Sequence, residues 1–172
     1  NSLTTTLIGI GCTAVGYQAL TLATGNANTA VGTTALASLS TGATCTAIGA
    51  NALSSQSTAN GATAVGYNAL TNNTSANNTS VGAASLQSNT TGAQNTALGY
   101  TALLSNIIGD GNTAVGHQAL TLSTGDSNTA IGSNALDTLS TGTQCTAVGR
   151  NALTAQTTAS NATAIGYNAL AA

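Results

Sequence analysis

Asn112-Thr113-Ala114-Val115-Gly116 is followed by His117-Gln118-Ala119-Leu120, and close variants of this stretch return along the chain. The glycine that closes Thr-Ala-Val-Gly falls at Gly16, Gly32, Gly49, Gly66, Gly82, Gly99, Gly116, Gly132, Gly149 and Gly166, at spacings of 16, 17 and 17 residues that then repeat. That makes ten units with a super-period of 50 residues. A longer period lies above it: Gln18 to Gly32 reads QALTLATGNANTAVG, Gln118 to Gly132 reads QALTLSTGDSNTAIG, and Cys45 and Cys145 are also 100 residues apart. Tandem duplication is the simplest origin, and residues 1–172 read as a single repeat domain.

Read relative to the anchor glycine, each column has its own chemistry. Three residues before it every unit has Thr, beginning with Thr13, Thr29 and Thr46. Two before it is Ala, as at Ala14, Ala30, Ala47 and Ala64, with Ser80 the one exception. One before it is Val, Ile or Leu, as at Val15, Val31 and Ile48. Three after it is Ala, with Ser85 the exception, and four after it is Leu, from Leu20, Leu36 and Leu53 to Leu170. Four before it is Asn in five units, Cys in three and Ala in two.

A period this short cannot hold a helical hairpin, which needs upwards of about 30 residues, and a glycine in every unit disfavours helix. Short β-branched runs punctuated by Gly and Asn suit strands and turns. The expectation is an all-β fold, a parallel β-solenoid or β-roll of about ten coils with two short strands in each. Coils would stack at the interstrand distance of about 4.8 Å, giving a rod of roughly 48 Å. Side chains alternate faces along a strand. The Val15, Val31 and Ile48 column is expected to point inward with the Leu column, and the invariant Thr to share the Val side. The Gly16, Gly32 and Gly49 column marks the turns, and the Asn column forms a ladder on turn backbone groups. The Ala14, Ala30, Ala47 and Ala64 column would then face outward, where a strictly small residue implies close packing by another copy of the chain, unless duplication merely copied Ala.

Composition narrows the function. The 172 residues include one Arg, three Asp, no Lys and no Glu, with a net charge of −2. A single cation cannot track nucleic-acid phosphates or hold an anionic lipid surface. No stretch is long and apolar enough for a membrane-spanning helix, and Asn1-Ser2-Leu3-Thr4 lacks the charged start of a signal peptide. An apolar fraction of 42% at fixed positions argues against disorder.

The units Asn28-Thr29-Ala30-Val31-Gly32, Asn112-Thr113-Ala114-Val115-Gly116 and Asn128-Thr129-Ala130-Ile131-Gly132 resemble the head repeats of YadA-like trimeric autotransporter adhesins, over about Gly11 to Leu170. Similar arrays occur in phage tail-fibre-like proteins. The resemblance implies a left-handed parallel β-roll, three associated chains, a head that binds host matrix or surfaces, and a subunit contact at the Ala column.

Residues that could carry chemistry are few. Cys12, Cys45 and Cys145 stand in the Asn column; two coils separate the first two, about 9–10 Å, too far for a disulfide. They read as small buried residues, with cross-linking between chains the alternative. Three Asp in the chain cannot build a calcium roll, and no Cys/His cluster suggests zinc. His117 has no nucleophile or carboxylate partner in sequence pattern, so no catalytic residue, metal or cofactor is expected. Tyr17, Tyr67, His117 and Tyr167 recur at 50-residue steps, with Tyr100 as an extra, and form a candidate surface-binding stripe. Asn-x-Ser/Thr sequons at Asn72, Asn73, Asn77, Asn78, Asn89 and Asn161 are what so Asn- and Thr-rich a chain contains by chance.

The expected function is a non-enzymatic structural segment of an extracellular or virion fibre, adhesive in character, homo-oligomeric as a trimer or an end-to-end filament. No cap is apparent in sequence, so coils are expected to continue beyond Leu170 or to stack on a copy. The alternative is a trimeric adhesin head or tail-fibre shaft that binds a surface glycan or matrix ligand. Ice binding by a regular Thr array is a further alternative, which the inward placement of the invariant Thr disfavours.

Overall fold

In a computed structural model that describes residues 9–171, the chain winds into a β-solenoid. Asn1 to Thr4 lie outside the described residues. Each coil contributes one three-residue strand: β1 (Thr13–Val15), β2 (Thr29–Val31), β3 (Thr46–Ile48), β4 (Thr63–Val65), β5 (Thr79–Val81), β6 (Thr96–Leu98), β7 (Thr113–Val115), β8 (Thr129–Ile131), β9 (Thr146–Val148) and β10 (Thr163–Ile165). They form a single parallel sheet in sequence order, with every strand in register on the next, Thr29 beside Thr46, Ala30 beside Ala47 and Val31 beside Ile48. Nine interstrand steps place β10 about 43 Å from β1.

The second strand expected in each coil does not form. Two and four residues after the anchor glycine the backbone enters the left-handed region, as at Gln18 (φ 53°) and Leu20 (φ 53°), and an extended run cannot pass through two such residues. Hydrogen bonding between coils continues at these corners, one bond at a time: Leu20 N–H donates to the Ala35 carbonyl (3.0 Å), and Thr34 N–H to the Tyr17 carbonyl (2.8 Å). A branched side chain pays roughly 1–2 kcal/mol for left-handed backbone. Leu20 and its equivalents from Leu36 to Leu153 are fully buried, and burial of a leucine contributes about 1.5–3 kcal/mol, which offsets that cost.

The faces of the strand are the reverse of the expectation. Ala30, Ala47 and Ala64 are wholly buried in the chain's own core, and Ala14 packs against it. They are therefore not an outer contact between subunits. The Val15, Val31 and Ile48 column points outward, with Ile48 still 41% exposed and Leu98 47% exposed in the middle of the rod. The Thr column lies on the same outward side, half-buried or exposed in every strand. The reason is the width of the coil. The core is filled by two alanine columns, that of Ala30 and that of Ala35, and by the leucine column, which leaves room for a methyl group but not for a branched side chain at the strand centre. The two serine exceptions show the packing directly. Ser80 and Ser85 replace both alanines of one coil and hydrogen-bond to each other across the core, while Ser80 Oγ also donates to the Ser85 carbonyl (2.9 Å) and Ser85 Oγ to the Gly82 carbonyl (2.8 Å).

Candidate functional site

Two polar ladders inside the rod fix its register and free its outer surface. In the first, Asn95 Nδ2 donates to the Gly109 carbonyl (2.7 Å) and Asn95 Oδ1 accepts the N–H of Asn112 in the next coil (2.8 Å). Asn28, Asn78, Asn112 and Asn128 repeat this bonding. The second ladder is not among the sequence-based expectations. Seven residues after the anchor glycine, Gln56, Asn73, Asn89 and Asn106 are buried and linked: Asn73 Nδ2 to Gln56 Oε1 (3.3 Å), Asn89 Nδ2 to Asn73 Oδ1 (2.7 Å) and Asn106 Nδ2 to Asn89 Oδ1 (3.0 Å). The ladder stops at Ser123, whose hydroxyl accepts the Gly125 N–H, and Asn106 Oδ1 is left without a partner. The signal available in sequence was that this column holds only small, aliphatic or amide residues. Burial also removes Asn73, Asn78 and Asn89 from the accessible sequons.

The cysteines take the places of ladder asparagines. Cys45 and Cys145 are buried and Cys12 is half-buried, all with free thiols. Cys45 N–H donates to Asn28 Oδ1 (2.9 Å), completing the rung that Asn28 begins, and its thiol donates to the Ala59 carbonyl (3.3 Å) where an asparagine would place its amide. Burial pushes the Cys45 thiol above its usual range, against the smaller opposing effect of its hydrogen bonds. Asp110 and Asp126 serve the turns: their Oδ1 atoms accept the N–H groups of Ala93 (2.7 Å) and Asp110 (2.9 Å). Among the described residues no pocket opens into the rod, no three metal-ligating side chains come together, and no helix is long and apolar enough to cross a membrane.

Exposed apolar side chains occur off the sheet at Leu22, Ile107, Ile108 and Leu122, and on it they form the outward face. It carries one row of threonines and, about 6.6 Å along each strand, one row of Val, Ile and Leu. No charged residue lies in either row. Along its edge, one residue after the anchor glycine, runs the tyrosine stripe: Tyr17, Tyr67, Tyr100 and Tyr167 are all more than half exposed. Neighbouring coils bring Tyr100 and His117 into a stack, ring centroids 5.5 Å apart and 17° between planes, and set the Arg150 guanidinium 5.9 Å from the centre of the Tyr167 ring.

The hydroxyls outside the sheet behave differently from those on it. In a turn column Thr24 Oγ1 donates to the Ser40 carbonyl (2.8 Å), Ser40 Oγ to Ser57 (2.9 Å), Thr74 Oγ1 to Thr90 (2.9 Å) and Thr90 Oγ1 to Ile107 (2.9 Å), bonding each coil to the next. The strand threonines from Thr13 to Thr163 bond through their backbone, with no hydrogen bond within the chain from their hydroxyls; Thr13, Thr79, Thr96 and Thr163 are exposed and the other six half-buried. Comparison with protein-family models, with curated proteins and with solved structures returns no match for this chain.

Proposed function

We propose that this chain is a non-enzymatic structural segment of an extracellular or virion fibre, which holds a long uncharged face toward a surface. The observation that supports this best is the continuous double row of threonine and aliphatic side chains along the described rod. An exposed apolar patch of this extent on a soluble protein marks a site of contact with another surface. Both internal ladders and the coil-to-coil bonds hold successive coils in register behind that face. The near-absence of charge suits contact by shape rather than by electrostatic steering. In this reading the rods associate as trimers or as longer filaments.

A second reading, a trimeric adhesin head or tail-fibre shaft related to the YadA-like repeats, is favoured by the exposed tyrosine stripe. Its rings offer flat apolar faces with a hydroxyl at the rim, which suits stacking on a sugar. Negative-stain electron microscopy with mass measurement on the purified chain tests both. Filaments of stacked rods support the structural reading; discrete trimers that bind a glycan array support the adhesin; isolated single rods that touch neither themselves nor any surface overturn both.

A further inference from the structure

We propose that the Thr/aliphatic face of the sheet is an ice-binding surface. The inference rests on reading the chain as a rod that presents this face, and it names what the face meets: the ordered water of an ice crystal rather than a second copy of the chain.

Four observations carry it. The first is segregation. A three-residue strand needs β-formers at its outward positions, and Thr, Val and Ile all qualify. Propensity alone would mix them. Instead the first row is Thr in all ten strands and never aliphatic, and the second is aliphatic in all ten and never Thr. The second observation is that duplication does not account for this. One residue after the anchor glycine, also at the surface, the units have diverged to Tyr, Thr, Ala, His, Ser and Arg. Outward positions are free to change in this chain, and the two rows have kept their kind.

The third is the state of the hydroxyls. Turn hydroxyls such as Thr24 and Thr90 are used up in bonds between coils, whereas the strand threonines, on the outward side of the sheet, make no hydrogen bond with theirs inside the chain. A dry interface with another protein would have to find a partner for each of them; a lattice of water supplies one at every rung. The fourth is geometry. The in-register parallel sheet repeats hydroxyl and methyl groups about every 4.8 Å along the rod and about 6.6 Å across it. Oxygen rows on the prism faces of hexagonal ice repeat at similar distances in two perpendicular directions. The methyl groups of Thr and of the aliphatic row would order water between them, and the hydroxyls would anchor that layer to the crystal.

The test uses the full chain, polycrystalline ice and a sedimentation measurement of mass. The wild-type chain is expected to partition into growing ice and to depress freezing below melting. Thr96→Tyr, which raises a ring from the middle of the face, is expected to lose most of both effects. Thr91→Tyr, at an exposed turn position outside the face, is expected to keep them. Exclusion of the wild-type chain from ice would overturn the proposal whatever the variants do. So would equal partitioning of Thr96→Tyr and wild type, provided thermal unfolding shows both folded. Self-association that Thr96→Tyr abolishes, without any uptake into ice, would give the face to a second copy and leave the fibre reading standing.

Discussion

A methyl group added to Gly99 would sit 2.3 Å from the carbonyl oxygen of Gly116, and the backbone there has φ 141°, open to glycine alone. The anchor glycines stack carbonyl to Cα from coil to coil, so Gly99→Ala forces two coils apart. A loss of stability of about 1–3 kcal/mol is expected in denaturant unfolding. The same scale separates the two faces of a strand. Ala114→Leu overpacks the core and should cost about 1–3 kcal/mol, while Val115→Ala, its neighbour on the outward side, should stay within about 0.5–1 kcal/mol. The thiols divide likewise. At mildly alkaline pH a disulfide reagent should label Cys12 in the folded protein and spare Cys45 until the chain unfolds, because burial both covers the Cys45 sulfur and keeps it protonated. Prompt labelling of all three cysteines would show a loosely packed coil. At this scale the expected inward Val and outward Ala are reversed, because alternation says that the two face opposite ways and side-chain volume decides which way is in. The answer lay in Ser80 and Ser85, the only departures from their two alanine columns, which fall in the same coil because they touch.

The elements are held by ladders rather than by a thick core. Asn95→Leu would leave the Asn112 N–H without a partner in the interior and leave the Gly109 carbonyl with Asn106 Nδ2 (3.0 Å) as its side-chain donor. An unsatisfied buried group costs about 1–3 kcal/mol, and amide hydrogen exchange should show the Asn112 N–H losing protection first. The second ladder offers the opposite test. Ser123→Asn would extend it by one rung and bring a donor to the orphaned Asn106 Oδ1, with an expected gain of about 0.5–1.5 kcal/mol in denaturant unfolding; a loss would mean that the space beside Ser123 is already full. The parallel pairing and its register were legible, since equal spacing brings like residues together. The single strand per coil was not, because left-handed leucines such as Leu20 are rare and nothing in the residue type announces them.

For the whole rod, contacts join each coil to its neighbours, and stability should be close to a sum over coils. Deleting residues 67–116 removes one 50-residue super-period and rejoins Gly66 to His117 in the native phase. The shortened chain is expected to fold and, by small-angle scattering, to be shorter by three steps, about 14 Å. The function of the rod depends on which side of the sheet is outside. Cysteine substitution at the adjacent residues Ala114 and Val115, in a Cys12→Ser background, followed by labelling of the folded protein, tests that most directly. Val115→Cys is expected to react rapidly and Ala114→Cys to be protected. The reverse order would put the aliphatic row in the core and contradict the account of the face.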